Sequence, residues 1–270
     1  MNSISNFVKL KKSNKLWAIG SIHSNLESFS SIKKYILDNF SIDDKLIFLG
    51  NIIGLGENAK ETLNSVIDLR FNLMSKFRIE PESIVFLRGA QEEMFTKLLQ
   101  LQLAPNPTEI LEWMLEHGVN ATIKSYGFSV DEVKNIASSG TINISKWTTN
   151  LNKALQKNPG HTEYFLNLKH AAYSQSERIL FVNRGVDITR PLSAQNDCFW
   201  WGYQNFSTID QPYKTFSRIV RGYESEHSNE LKISKNNVVC TLFKQPLSNK
   251  NILCGIFQEN GEILDLFENN

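Results

Sequence analysis

The sequence predicts an α/β fold, a largely parallel sheet covered by helices, on three observations. Short continuous apolar runs alternate with stretches of helical period through the first hundred residues. Most of these runs close on a glycine, and a purely helical stretch separates them from a second group of short strands. Leu16-Trp17-Ala18-Ile19 is the first buried strand, ending at Gly20. Asn25 then caps a helix whose Leu26, Phe29, Ile32 and Ile36 share one face. Lys45-Leu46-Ile47-Phe48-Leu49 is the second strand, followed by a helix from about Ala59 to Met74; Ser83-Ile84-Val85-Phe86-Leu87 is the third, followed by a helix from Glu92 to Leu101. In such sheets ligands bind at the carboxyl ends of the strands, where the glycine-rich segments of this chain fall.

From about Ala104 to Leu168 the pattern is helical. Pro107 opens a helix that Gly118 is expected to end, Ser129-Val130-Asp131-Glu132 is a capping box, and Ser145 to Gln156 is a further helix. Later strands follow at Ile179-Leu180-Phe181-Val182, Arg218-Ile219-Val220, Val238 to Leu242, Ile252 to Phe257 and Ile263 to Leu266, the last two joined by a hairpin through Glu259-Asn260-Gly261-Glu262. With no repeat or linker, residues 1–270 read as one domain carrying a helical cap or insertion at about 104–168.

Composition narrows the function classes. The chain has 270 residues, 41% hydrophobic, 11% aromatic and 21% charged, with net charge +1. That near-neutrality argues against nucleic acid as a partner. No apolar run reaches the roughly 20 residues that span a bilayer, so no membrane association is expected. The N-terminus lacks the pattern of a secretory signal, and Lys9-Leu10-Lys11-Lys12 reads as solvated surface or a frayed terminus. Cys198, Cys240 and Cys254 are widely spaced in apolar contexts and read as reduced thiols in a cytoplasmic protein.

Five strand-end segments carry the chemistry: Gly20-Ser21-Ile22-His23-Ser24, Gly50-Asn51-Ile52-Ile53-Gly54-Leu55-Gly56, Arg88-Gly89-Ala90-Gln91-Glu92, Asn183-Arg184-Gly185 and Arg221-Gly222-Tyr223. In this order, each after its strand, they resemble the motifs of the calcineurin-like metallophosphoesterases, and within them bacterial protein phosphatases of the Ser/Thr phosphoprotein phosphatase group. The resemblance implies a sandwich of two mixed sheets flanked by helices. It also implies two divalent ions such as manganese, which activate water for in-line attack on a phosphoester. The family's motifs are Gly-Asp-x-His-Gly, Gly-Asp-x-x-Asp-Arg-Gly, Arg-Gly-Asn-His-Glu, His-Ala-Gly and Gly-His.

Carried over residue by residue, most of the metal ligands are replaced. The first aspartate is Ser21 and the bridging aspartate is Asn51; the metal-binding asparagine is Ala90 and the catalytic histidine Gln91. The late histidines are Asn183 and Tyr223, and Gly54 and Leu55 stand at the second Asp and the Arg of the middle motif. His23 alone survives among the ligands, with Asn51 a further weak candidate, while Arg88 and Glu92 remain from around the site. Two ions bring about four positive charges, which one imidazole and neutral side chains do not balance; Arg184 and Arg221 would add to the excess. No cofactor is therefore expected. Three readings follow. The first is a pseudophosphatase acting by binding a protein partner or a phosphorylated ligand. The second is a metal-independent anion or nucleotide sensor in which Arg88, Arg184 and Arg221, with His23, line the pocket. The third is a residual phosphoesterase using His23, Glu92 and Asp187. Arg88 would otherwise pair with Glu92 or Asp187, and Phe199-Trp200-Trp201 is either packing or a stacking platform. The remaining histidines, His117, His161, His170 and His227, show no ligand-like spacing.

Overall fold

The computed structural model describes residues 6–202, 206–224, 232–233, 238–244 and 251–268. The chain runs β1 (Phe7–Lys9), β2 (Leu16–Ile19), α1 (Leu26–Asn39), β3 (Lys45–Phe48), α2 (Ala59–Phe77), β4 (Ile84–Phe86) and α3 (Ala90–Leu98). Five helices follow: α4 (Pro107–Met114), α5 (Asn120–Ser125), α6 (Val130–Ala137), α7 (Thr141–Gln156) and α8 (His161–Asn167). The chain then returns to strands with β5 (Ala171–Tyr173), β6 (Ile179–Val182), α9 (Cys198–Trp201), β7 (Arg218–Arg221), β8 (Lys232–Ile233), β9 (Val239–Thr241), β10 (Leu253–Phe257) and β11 (Ile263–Glu268).

These strands form two mixed sheets, ordered β1-β5-β6-β7-β9-β8 and β11-β10-β2-β3-β4. In the first, β6, β7 and β9 are parallel; in the second, β2, β3 and β4 are parallel and β10 runs against β2. The period-2 alternation of strand side chains explains the layering. Ala18, Ile47, Val85 and Phe257 of one sheet meet Ala172, Phe181, Val220 and Cys240 of the other in a shared core. The intervening residues Trp17, Ile19, Phe48 and Phe86 face α1, α2 and the helices after α3. On the opposite side, Leu180, Val182, Ile219 and Val239 pack against Phe199 and Phe206. Phe181 and Phe257 touch edge to face, 6.0 Å between ring centroids, across the two sheets. Fully buried aromatics of this kind each contribute about 1.5–3 kcal/mol.

Most predicted elements stand where the sequence puts them. Asn25 caps α1 by accepting the Ser28 N–H at 3.1 Å, and Ser129 caps α6 by accepting that of Glu132. Three expectations need correction, and one at Gly118 holds. The N-terminal segment is not frayed from Phe7 onward: β1 runs parallel to β5, and Leu10 is only 1% exposed. Gly118 ends its helix as expected: the backbone leaves helical geometry at His117 and at Gly118, which takes φ 105, and this kink separates α4 from α5. The later helix begins at Thr141 instead of Ser145, starting after Gly140 at φ 95. Finally, β5 forms where no element was expected, while α8 falls inside the stretch expected to be helical. His227 lies outside the described residues.

Candidate functional site

The carboxyl ends of β2, β3, β4, β6 and β7 converge, and backbone hydrogen bonds knit their loops together. Ser21 N–H donates to the Gly222 carbonyl, Ile22 and His23 N–H both donate to Asn51 O, and Gly222 N–H donates to Asn183 O, all within 3.0 Å. Gly20 is required here for space: a Cβ would overlap the Leu242 carbonyl. His23, Ser24, Asn51 and Leu55 take left-handed backbone conformations, φ 50 to 60, which non-glycine residues seldom adopt. The loops are therefore sharply bent and mutually fixed.

Glu92, on the first turn of α3, is the hub of this web. Its Oε2 accepts the N–H groups of Asn51 and Gly89 at 2.8 and 3.0 Å, and its Oε1 accepts that of Ile52 at 2.8 Å and the Tyr164 hydroxyl at 3.2 Å. Burial pushes its carboxyl up from the ordinary range, against the opposing pull of the Asn51, Ile53 and Ile52 N–H groups. Tyr164 is likewise pushed well up by burial, reinforced by Glu92. Glu92 thus braces the second and third loops, and neither oxygen is open to a ligand.

The positions aligned with metal ligands are engaged in the same way. Asn51 Oδ1 accepts the Gln91 N–H at 3.0 Å while its Nδ2 donates to Ser21 Oγ at 3.3 Å. Asn183 Nδ2 donates to Leu49 O at 2.6 Å. Gln91 Nε2 donates to the His117 carbonyl in the kink between α4 and α5 at 2.8 Å, and the neighbouring Gly118 carbonyl accepts the Leu55 N–H, so the helical segment clamps the second and third loops. A Cβ at Gly54 would overlap the Gln91 carboxamide. The glutamine thus fills the volume that a carboxylate at position 54 would need. Gln91 Oε1 and Asn183 Oδ1 are buried without a hydrogen-bond partner among the described residues, and both are neutral. Ala90 contributes only a methyl group at the start of α3.

His23 sits in an aromatic cluster. Its ring meets Tyr223 at 5.2 Å and Phe243 at 6.2 Å, and those two lie 4.8 Å apart. Burial pushes the Tyr223 phenol up, with Arg184 acting the other way. The void left beside them, lined by Ser21, His23, Leu55 and Phe243, measures about 20 Å³, room for roughly one water. Among the described residues no group of three or more His, Cys, Asp or Glu side chains is placed to hold a metal ion.

The three arginines do not form one pocket. Arg88 pairs with Glu93 at 2.7 Å, not with Glu92 or Asp187, and lies 5.8 Å over Trp200. Arg184 stacks on Tyr223 at 5.5 Å. Arg221 follows Val220 of the inter-sheet core, so its side chain turns to the other face; there its Nε donates to Thr241 Oγ1 at 2.7 Å, its Nη2 pairs with Glu224 at 3.0 Å, and it lies 4.7 Å over Phe206. Asp187 is likewise turned away, accepting from Thr189 and pairing with Arg190 at 3.0 Å, contacts that hold its carboxyl below the ordinary range. Phe199 and Trp200 are packing residues, 1% and 7% exposed. Sequence reasoning missed Phe243, Glu93 and Glu224. The Arg221–Glu224 spacing of three residues was legible, and Phe243 follows a strand whose carboxyl end reaches this cluster.

No protein-family model and no curated protein matches the sequence. Solved structures do match the fold. A protein assigned as a diadenosine tetraphosphatase superposes with TM-score 0.57 at 11% identity, covering 98% of this chain and 97% of the other. A Saccharomyces cerevisiae protein serine/threonine phosphatase with similarity to human phosphatase PP5 gives 0.54 at 15% identity, covering 98% and 82%. A cold-active protein tyrosine phosphatase gives 0.52 at 12% identity, covering 97% and 80%. At such identities the likeness speaks for architecture alone, and with the two sheets and their connecting order it establishes that the chain has the calcineurin-like metallophosphoesterase fold.

Proposed function

We propose that this chain is a phosphoesterase-fold protein that does not carry out two-metal hydrolysis and acts by binding a protein partner. The observation that carries the reading is that the side chains at the metal-ligand positions are neutral and bonded to one another or to backbone: Asn51 to Ser21 and Gln91, Asn183 to Leu49, Gln91 to His117. This donor set does not fit a pair of divalent ions. Its unpartnered oxygens are amide oxygens, which bring no negative charge against about four positive ones. Glu92, the buried carboxylate nearby, has both oxygens taken by N–H and O–H donors.

A protein partner is preferred to a phosphorylated small ligand because the void beside His23, among the described residues, is about 20 Å³, and a phosphate needs several times the room of one water. The guanidinium groups of Arg88 and Arg221 are already paired with carboxylates, which weakens the reading as an anion or nucleotide sensor. The residual-enzyme reading needs His23, Glu92 and Asp187 to cooperate, whereas Glu92 and Asp187 are committed to separate networks.

Isothermal titration with manganese tests this directly. The expected result is no tight two-site binding and no turnover of an aryl phosphate above a metal-free control. Two stoichiometric ions, or turnover that disappears in His23→Ala, would overturn it.

A further inference from the structure

A second cavity lies away from these loops, where the outer strands of the two sheets, β1 and β4, come together under α2. Its volume is about 360 Å³, and its lining includes Val8, Ile84 and Phe86 on the apolar side and Arg70, Glu82 and Lys169 on the polar side. Arg70 projects from α2 over the Phe86 ring, 5.8 Å from its centroid. Its Nε is buried and has no hydrogen-bond partner, and no carboxylate lies within salt-bridge distance of it among the described residues. Glu82, at the exposed mouth, is the acidic residue in the lining.

A partly desolvated guanidinium without a hydrogen-bonded counter-ion is a costly arrangement. Nothing in the packing of α2 requires it: the buried residues of that helix are Ala59, Thr62, Leu63, Val66, Ile67, Leu69 and Leu73. An arginine is also the side chain best suited to receive an oxyanion through two parallel N–H bonds, with its planar face resting on an aromatic ring. Lys169 adds a second positive charge on the same wall. Both groups have their pKa values lowered by burial, the direction expected when cations line a poorly hydrated space. The apolar half of the lining gives a hydrocarbon or aromatic body somewhere to sit.

We infer that this inter-edge cavity is a binding site for an organic oxyanion with an apolar body, the Arg70 guanidinium receiving the anionic head and Phe86, Val8 and Ile84 receiving the body. The site is separate from the vacated metal loops and does not depend on how they are read.

Phenyl phosphate, phenylacetate and inorganic phosphate, each titrated into the full chain by calorimetry and thermal unfolding, test the inference. The two aryl anions are expected to bind saturably, at least several-fold more tightly than inorganic phosphate, and at ten times Kd to raise the unfolding midpoint by about 3 °C. Arg70→Leu should abolish binding without lowering the midpoint of the free protein. Arg70→Gln serves the same purpose should the leucine variant fail to fold, and Arg184→Ala should leave binding intact. Absence of saturable binding at 10-millimolar aryl anion (about the weakest useful range for so few contacts) would overturn the inference. So would binding that survives in the folded Arg70 variants. Binding lost in Arg184→Ala and kept in Arg70→Leu would place the anion at the metal loops and overturn both this inference and the proposed function.

Discussion

Glu92 carries more of the site's architecture than any other side chain, because one carboxylate satisfies four backbone N–H groups and a tyrosine hydroxyl in a fully buried setting. Replacing it by glutamine keeps the shape but turns one acceptor into a donor aimed at N–H groups. Each buried donor left without an acceptor costs about 1–3 kcal/mol. Glu92→Gln is therefore expected to lower stability by about 3 kcal/mol in urea unfolding. A loss under about 1 kcal/mol would mean that the native side chain is already a protonated acid and that the web tolerates it. The same scale shows what the sequence could and could not disclose. The five glycine-bearing loops were legible because close backbone approach leaves no alternative at positions such as Gly20. The partner of Arg88 was not, since Glu93 becomes its neighbour only once the geometry of α3 is fixed. The outward turn of Arg221 was nevertheless implicit in the alternation after Val220.

At the scale of elements, the long apolar strands and capped helices declared themselves through period and punctuation, whereas β1 and β5 did not. Each has three residues, and Phe7-Val8-Lys9 has no apolar run to mark it; the parallel pairing with Ala171–Tyr173 defines both. Tertiary contact makes these strands, so no local signal could have predicted them. Their contribution is measurable through Leu10, which follows β1, donates its N–H to Tyr173 O at 2.9 Å and packs into the inter-sheet core. Leu10→Ala is expected to cost about 2–4 kcal/mol through lost burial and a residual cavity. A change within about 0.5 kcal/mol, the range of ordinary surface substitutions, would restore the frayed-terminus reading.

For the molecule as a whole, the question is how the helical segment is held to the sandwich. Besides the Gln91 and Leu55 contacts with the kink between α4 and α5, a chain of hydrogen bonds links Tyr126, just beyond α5, to His161 of α8 at 2.6 Å and His161 to Asn64 of α2 at 2.8 Å. Burial, helped by Lys60, pushes the imidazole down from 6.5 to about 4. The unfolded chain takes up this proton near 6.5 and the folded chain only near 4. His161 therefore contributes its full stability above pH 6.5 and loses it as the pH falls through that interval. Between pH 7 and pH 5 the folded state should lose about 2 kcal/mol from this residue. In His161→Gln that part of the pH dependence should vanish; an unchanged slope of stability against pH would place the proton uptake elsewhere.

The reciprocal bonding of Asn51, Ser21 and Gln91 also bears on how readily these loops would accept charge. Placing one acidic residue at position 51 would remove the donor to Ser21 and bury a lone negative charge with no cation to answer it. Position 54 could accept a carboxylate only after Gln91 had vacated the space. Each single acidic substitution in these loops is uphill, and only several made together, with cations to answer them, would offset the cost. The loops therefore resist charge one residue at a time, as a neutral, mutually bonded web must.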